Sequence, residues 1–301
     1  MRPTLKTVLL SLCLLFCLSL SPVAQAVDGP KPLPKPALWV MTDADSTLYL
    51  FGSVHVMKPD TPWLNPAIQT RFDSASEVWF EVGNIDDKAA MAPLTQKYMF
   101  DPAATMTDGL TEGEIKQLNA LLAPMNLNTQ MLKPMRKWAV GLLITLNQVQ
   151  ALGYSSENGI DVTLLAQARK TGKPVHGLET MEAQMQAVTP KTPAEDAQNL
   201  RMSLSDLATL PQDVDDLFIA WLSGDAAGLD RLMTTKMKTE DPEGYRHVLV
   251  ERNASWVPEI ETIMAGQGTG FITVGAGHLV GPDSVIHMLE ARGYKVERVN
   301  Y

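Results

Sequence analysis

Short apolar bursts of the kind that make strands cluster near the two ends of this 301-residue chain, and longer helical stripes fill the middle. Leu38-Trp39-Val40-Met41 and Leu48-Tyr49-Leu50-Phe51 flank the turn residues Asp43-Ala44-Asp45-Ser46, which predicts a hairpin. A helix-like segment, Asn65 to Ser76, then leads into a third strand, Glu77-Val78-Trp79-Phe80-Glu81-Val82. From Lys133 to Gln150 the spacing places Trp138, Leu142, Leu143, Leu146 and Val149 on one helical face. Asp161 to Thr171 reads as a helix stopped by Gly172, and Lys173 to Glu179 as a short strand with a polar end. Ala194 to Ala265 is helical again, with one stripe of Val214, Leu217, Phe218, Trp221 and Leu222 and another of Leu249, Trp256, Ile260 and Ile263. The chain closes as strand (Phe271 to Val274), helix (Asp283 to Arg292) and strand (Lys295 to Val299). Strands at both termini around a helical middle predict an α/β domain bordering on α+β, with its sheet completed by the last segment.

Two of these strands end alike. Gly52-Ser53-Val54-His55 follows Leu48 to Phe51, and Gly275-Ala276-Gly277-His278 follows Phe271 to Val274. Each puts an imidazole just past the carboxyl end of a strand, where open α/β sheets bind ligands. A single G-x-x-H is no more than a tight turn. Two at strand ends suggest two similar half-sheets meeting at one cleft, and two imidazoles that meet can hold a divalent ion. Carboxylates stand at two further strand ends, Glu81 after Val78-Trp79-Phe80 and Glu179 after Val175-His176-Gly177-Leu178. A carboxylate is costly to bury there unless it is paired or metal-bound. The competing reading has Glu81 capping a helix near Gly83-Asn84 or pairing with an arginine. Arg252, on the helix of Trp256, reads by default as part of a solvated face.

Residues 1–26 combine basic Arg2 and Lys6, the apolar run Val8 to Leu20, and Ala24-Gln25-Ala26, a small-x-small cleavage site. This is the make-up of a secretory signal, and it predicts a mature chain beginning at Val27 in the periplasm or outside the cell, without a stable membrane anchor. Cys13 and Cys17 are preceded by Leu12 and Phe16 rather than the small residue a lipid-attachment signal needs. As the chain's two cysteines, they would leave with the signal, so a metal site would have to be built from His, Asp and Glu. Removing Arg2 and Lys6 also makes the net charge of −9 more negative by two, which argues against nucleic acid and anionic membrane surfaces as partners. The proline-rich stretch 27–37 reads as an extended spacer and 38–301 as a single domain.

The sequence has no G-x-S-x-G elbow, no phosphate-binding G-x-x-x-x-G-K-[ST] loop and no H-E-x-x-H helix. Gly275-x-Gly277 resembles a dinucleotide fingerprint, but Val280 stands where the third glycine belongs. His176, His247 and His287 fall within elements where packing or surface roles are the rule. The pairs Met131/Met135, Met181/Met185 and Met233/Met237 have the spacing of helical core filler, which weighs against a copper site.

Taken together, Leu50-Phe51-Gly52-Ser53-Val54-His55, the strand ending in Glu81, Gly159-Ile160-Asp161, the run Gly172 to Thr180 with Gln184, Arg252-Asn253-Ala254-Ser255-Trp256, and Val274 to Gly281 resemble the TraB/GumN family. That family belongs with the Tiki-type proteins and is more distantly similar to erythromycin esterases and ChaN-type haem-binding lipoproteins. The resemblance covers about residues 38 to 301 and implies an α/β fold in which both G-x-x-H segments and the glutamate share one site. Its Tiki members are metal-dependent proteases favouring manganese or cobalt. The resemblance therefore implies an exported metal-dependent hydrolase of the peptidase kind, with His55, His278 and Glu81 as metal ligands. Glu81 could serve instead as general base, Glu179 as base or ligand-orienting group, and Arg252 as partner of an oxyanion. Manganese or cobalt would be favoured and zinc remains compatible with a His/carboxylate set. The alternative is a non-catalytic protein that captures a peptide, haem or metal in the same cleft.

Overall fold

The computed structural model describes residues 33–301 apart from Ala104. Residues 1–32, on which the expected signal, its cleavage site and the first part of the expected spacer fall, lie outside the described residues. Among these residues a six-stranded sheet runs in the order β4-β3-β5-β2-β1-β6. Its strands are β1 (Leu38–Thr42), β2 (Ser46–Ser53), β3 (Glu77–Phe80), β4 (Val175–Gly177), β5 (Gly268–Gly275) and β6 (Val296–Arg298). The fold is mixed α/β, as the pattern of terminal strands and central helices predicts.

The hairpin β1–β2 is antiparallel and pairs Leu38 with Phe51 and Thr42 with Thr47. The closing strand β6 pairs antiparallel with β1 and completes that edge. The two strands that end in G-x-x-H are immediate parallel neighbours, in register from Ser46 opposite Gly268 to Ser53 opposite Gly275. One continuous sheet therefore carries both motifs, where an echo between two half-sheets was expected. β3 pairs parallel with β5 and β4 parallel with β3, so β2, β3, β4 and β5 all point their carboxyl ends to the same edge.

The central strands are buried on both faces. Phe271, Ile272, Leu50 and Phe51 share one core with Phe72, Leu164, Trp221, Trp256 and Leu289 from the helices Pro66–Ser74, Ile160–Lys170, Leu210–Ser223, Glu251–Met264 and Val285–Ala291. Phe51 lies 5.9 Å from Phe271 and 6.2 Å from both Trp63 and Trp221, ring centre to ring centre. Trp221 also donates from Nε1 to the carbonyl of Gly52 at 2.8 Å, anchoring the end of β2 just before His55.

A second, helical core collects Leu118, Leu122, Val140, Ile144, Leu200 and Leu204. Here the expected face of helix Lys137–Ala151 holds at its ends and fails in the middle: Trp138 and Val149 are buried, but Leu142 and Leu146 are 39% and 47% exposed, while Val140, Gly141 and Ile144 are buried. The reason is close helix packing. A Cβ on Gly141 would stand 2.7 Å from Ser203 Oγ and 3.5 Å from Leu200 Cα, so the small residue, not the leucine pair, faces helix Pro193–Asp206. The tail of the spacer is held to the domain: Lys35 N–H donates to Leu222 O at 2.8 Å, and Asn65 Nδ2 to Pro34 O at 2.9 Å. Among the described residues no helix is long and apolar enough to cross a membrane.

Candidate functional site

Because four parallel strands end at one edge, the residues immediately after them are brought together by the sheet itself. His55 follows β2, Glu81 follows β3, Glu179 follows β4 and His278 follows β5. Gly275 marks where they converge. A Cβ there would lie 3.1 Å from Glu81 Oε1 and 3.5 Å from both His55 Nε2 and His278 Cδ2.

The loop carrying His55 is held to the start of helix Ile160–Lys170. Met57 and Ser155 exchange backbone hydrogen bonds at 3.1 and 3.0 Å, and Ile160 N–H donates to Val54 O at 3.0 Å. This places Asp161, buried in the first turn, where it accepts from Ser53 Oγ at 2.6 Å and from His55 Nδ1 at 2.8 Å. His55 Nε2 is thereby turned toward the cleft, and its side chain is 64% exposed. The cleft walls oppose a charge on His55. The hydrogen bond and charge of Asp161, with Glu81 adding to them, outweigh that and lift its pKa to about 9.

His278 is buried and held from the opposite side. Asn253 Nδ2 donates to Asp283 O at 2.8 Å, so its Oδ1 is the acceptor for His278 Nδ1 at 2.6 Å. The proton therefore sits on Nδ1, and Nε2 keeps its lone pair, facing Arg252 Nη1 at 3.1 Å. Burial, together with the neighbouring Arg252, pushes the pKa of His278 down to about 3, although Glu81 opposes the shift. The ring lies 4.4 Å from that of Trp256, over which the Arg252 guanidinium also sits at 4.8 Å.

Arg252 is not on a solvated face. It is buried beneath the cleft, where Nη2 contacts Glu81 Oε2 at 2.6 Å and Glu179 Oε1 at 2.5 Å, and Nε donates to Glu179 Oε1 at 3.1 Å. Nη1 takes Val248 O and His278 Nε2, both at 3.1 Å. Glu81 accepts in addition from Gly275 N–H at 2.7 Å and Gln184 Nε2 at 2.8 Å. Burial alone would raise the pKa of Glu81, but the charges around it and the Gly275 amide hold it at about 2. With His278 neutral at ordinary pH, the charges of Arg252 and of protonated His55 keep Glu81 ionised. Both sequence readings of Glu81 are thus realised at once: it faces the convergence point and it pairs with an arginine.

The remaining histidines lie elsewhere. His176 stacks on Trp79 at 5.1 Å and contacts Glu77, His247 pairs with Glu251 at 2.7 Å, and His287 is exposed. Asp161 and Asn253, which orient the two site histidines, stand out in the sequence only as parts of the segments that resemble the family. A signal was present. Asp161 is an acid in the first turn of an amphipathic helix just after a glycine, and Asn253 directly follows Arg252.

The donor set suits a divalent ion in its chemistry. It offers two imidazole Nε2 atoms whose Nδ1 atoms are each fixed by an outer acceptor, plus one carboxylate, the usual arrangement behind a histidine-ligated metal. As the side chains stand, no three of His, Cys, Asp or Glu among the described residues form a group able to hold an ion. His278 Nε2 and Glu81 Oε1 are 3.7 Å apart, with Arg252 bonded to both residues. Ligation would require Arg252 to release His278 and His55 to lose its proton.

The site opens into a cleft of 510 Å³ whose charged groups gather at the strand ends and whose remaining wall is largely apolar. Among known proteins, an uncharacterized protein of Treponema pallidum is 22% identical over 271 residues, spanning 84% of this chain and 80% of that protein. The uncharacterized protein YbaP of Escherichia coli, strain K12, is 23% identical over 256 residues, 84% of this chain and 92% of its own length, and YbaP of Shigella flexneri matches to the same extent. The family model described as TraB/PrgY/gumN matches residues 37–298, almost the whole of the described fold, and the chain belongs to that family.

Proposed function

We propose that this chain is an exported metal-dependent hydrolase that acts on peptide-type amide bonds, with His55, His278 and Glu81 as the residues that would hold the ion. The observation that carries the reading is the convergence of His55 Nε2, His278 and Glu81 Oε1 around Gly275, in the wall of a cleft. A bound divalent ion supplies a water of lowered pKa and polarises a carbonyl, and manganese or cobalt is the favoured choice with zinc also compatible.

The protein's own residues divide the work by their partners. Asp161 and Asn253 fix the two imidazoles by their Nδ1 atoms. Glu81, held at about 2, is a weak base and a good anionic ligand. Arg252 has five N–H groups directed at Glu81, Glu179, Val248 O and His278, which leaves none spare for an oxyanion. We therefore give it the positioning of both carboxylates, and give Glu179 the anchoring of Arg252. His55 carries a proton at neutral pH and exposes Nε2 to the cleft, so without an ion it can donate to a substrate carbonyl.

The test is cleavage of a peptide library by the purified protein with manganese, cobalt or zinc added, and with chelator. Chelator-sensitive cleavage supports the hydrolase. Tight capture of a peptide or haem without turnover under any of these ions would replace it with the binding protein. Export is tested by mass spectrometry of the protein recovered from its cells. An N-terminus at Val27 is expected, and an intact Met1 or an acylated Cys17 would contradict it.

A further inference from the structure

The cleft below the strand ends is divided by polarity. Its ionisable members, His55, Glu81, Asp161, Arg252 and His278, gather at the sheet edge. Beyond Gln184 the wall is built from residues such as Val82, Ile85, Met185, Met237 and Leu249. A volume of 510 Å³ far exceeds one leucine or phenylalanine side chain. If a methylene needs about the room of a water molecule, roughly 30 Å³, the cleft holds on the order of a dozen even when partly open.

A second cavity shares one lining residue with the cleft. Met233 lines the cleft and also this second cavity of 350 Å³, whose wall combines leucines and Val214 with Asp206, Asp213 and Lys236. The terminal methyl of Met233 would lie 3.3 Å from a Cβ on Gly277, the residue before His278. One flexible thioether thus stands beside the candidate site and forms part of the wall of both cavities. It belongs to a π-helical turn, Asp230–Thr235, a local widening of the helix that recurs at functional sites. Methionine is the side chain best able to yield to ligands of different length.

We infer that this cleft receives a straight acyl chain, and that the substrate class of the site is an acylated amide whose carbonyl lies at His55 and whose hydrocarbon tail runs past Met233 into the second cavity. The inference rests on the site proposed above but not on its turnover. With Met233 the one lining residue common to both cavities, a chain that displaces its flexible side chain could enter the second, where a rigid disc such as haem could not. The polar end at the strand edge and the apolar remainder of the wall match an amide head and a hydrocarbon tail.

The experiment is calorimetric binding of neutral N-acyl glycinamides of increasing chain length to the purified protein, in chelator, beside a haem titration. Each added methylene should tighten binding about fourfold until the cleft fills, and the gain should continue beyond it into the second cavity. Met233→Trp should end the gain at the length that fills the first cleft, whereas Met233→Ala should extend it. Circular dichroism and melting of both variants establish that they are folded. Affinity independent of chain length, a length profile unchanged by both substitutions, or haem binding that outcompetes the longest chain would overturn the inference. Length-dependent binding without cleavage of the same acyl amides under manganese, cobalt or zinc would leave it standing and remove the hydrolase. Cleavage of unacylated peptides with a flat length profile would do the reverse.

Discussion

Replacing Arg252 with methionine removes the one cation from a group of three charged side chains, each 7–8% exposed. Glu81 keeps the Gly275 amide and Gln184, but among the described residues the Glu179 side chain accepts only from Arg252. Removing one partner of a buried ion pair costs about 3–5 kcal/mol, because a charge is left buried and unpaired. For a domain of this size that corresponds to a fall in Tm of roughly 10 °C. Urea unfolding followed by tryptophan fluorescence, in chelator at neutral pH, measures the loss directly. Two further results should follow if unpaired carboxylates are the cause. The penalty should shrink as pH falls and Glu81, no longer held ionised by Arg252, becomes free to take up a proton. Adding Glu81→Gln and Glu179→Gln to Arg252→Met should recover about half of the loss or more, since an uncharged set lacks the desolvated charge. A single variant within about 1 kcal/mol of the parent, or a triple variant no better than the single, would refute the reasoning.

The other predictions concern the histidines and their supports. His278 stays neutral in the folded protein down to about 3, while the unfolded chain takes up its proton near 6.5, so stability should fall with pH below 6.5. The slope reaches about 1.4 kcal/mol per pH unit, and His278→Gln should flatten it between 6.5 and about 5.5, before Glu81 of the unfolded chain begins to take up its proton. An unchanged slope in urea titrations would contradict this. Asp161→Asn should bring the His55 pKa down from about 9 toward its ordinary value, read from the ring proton shifts by NMR. A pKa that stays near 9 would show that Asp161 is not the cause. Gly159→Ala would press a Cβ to 2.4 Å from the His55 carbonyl oxygen, so a loss of about 1–3 kcal/mol is expected with a disturbed His55 signal. Unchanged unfolding and an unchanged spectrum would show that the loop has room.

What could be read from the sequence was mainly local. The hairpin, the closing strand and the strand-end positions of His55, Glu81, Glu179 and His278 follow from short apolar runs stopped by glycine or polar residues. Their meeting required the parallel pairing of β2 with β5 and of β3 with β5, which no local pattern specifies. Arg252 was read as solvated because its helix pattern says nothing of carboxylates arriving from strands 171 and 73 residues away. Asp161 and Asn253 were hidden for the same reason, since each serves a histidine on a distant element. The leucine stripe at Leu142 and Leu146 misled because size was taken as the sign of burial, while Gly141 allowed the close helix contact.

The central claim is that the two G-x-x-H histidines form one ion-binding site, and manganese titration read by electron paramagnetic resonance tests it most directly. Wild type, His55→Ala, His278→Ala and the double variant would be compared at mildly alkaline pH, where loss of the His55 proton favours ligation. The account predicts that each single variant loses binding almost as fully as the double, because a site short of one ligand rarely holds its ion. Near-normal manganese binding by either single variant would contradict it.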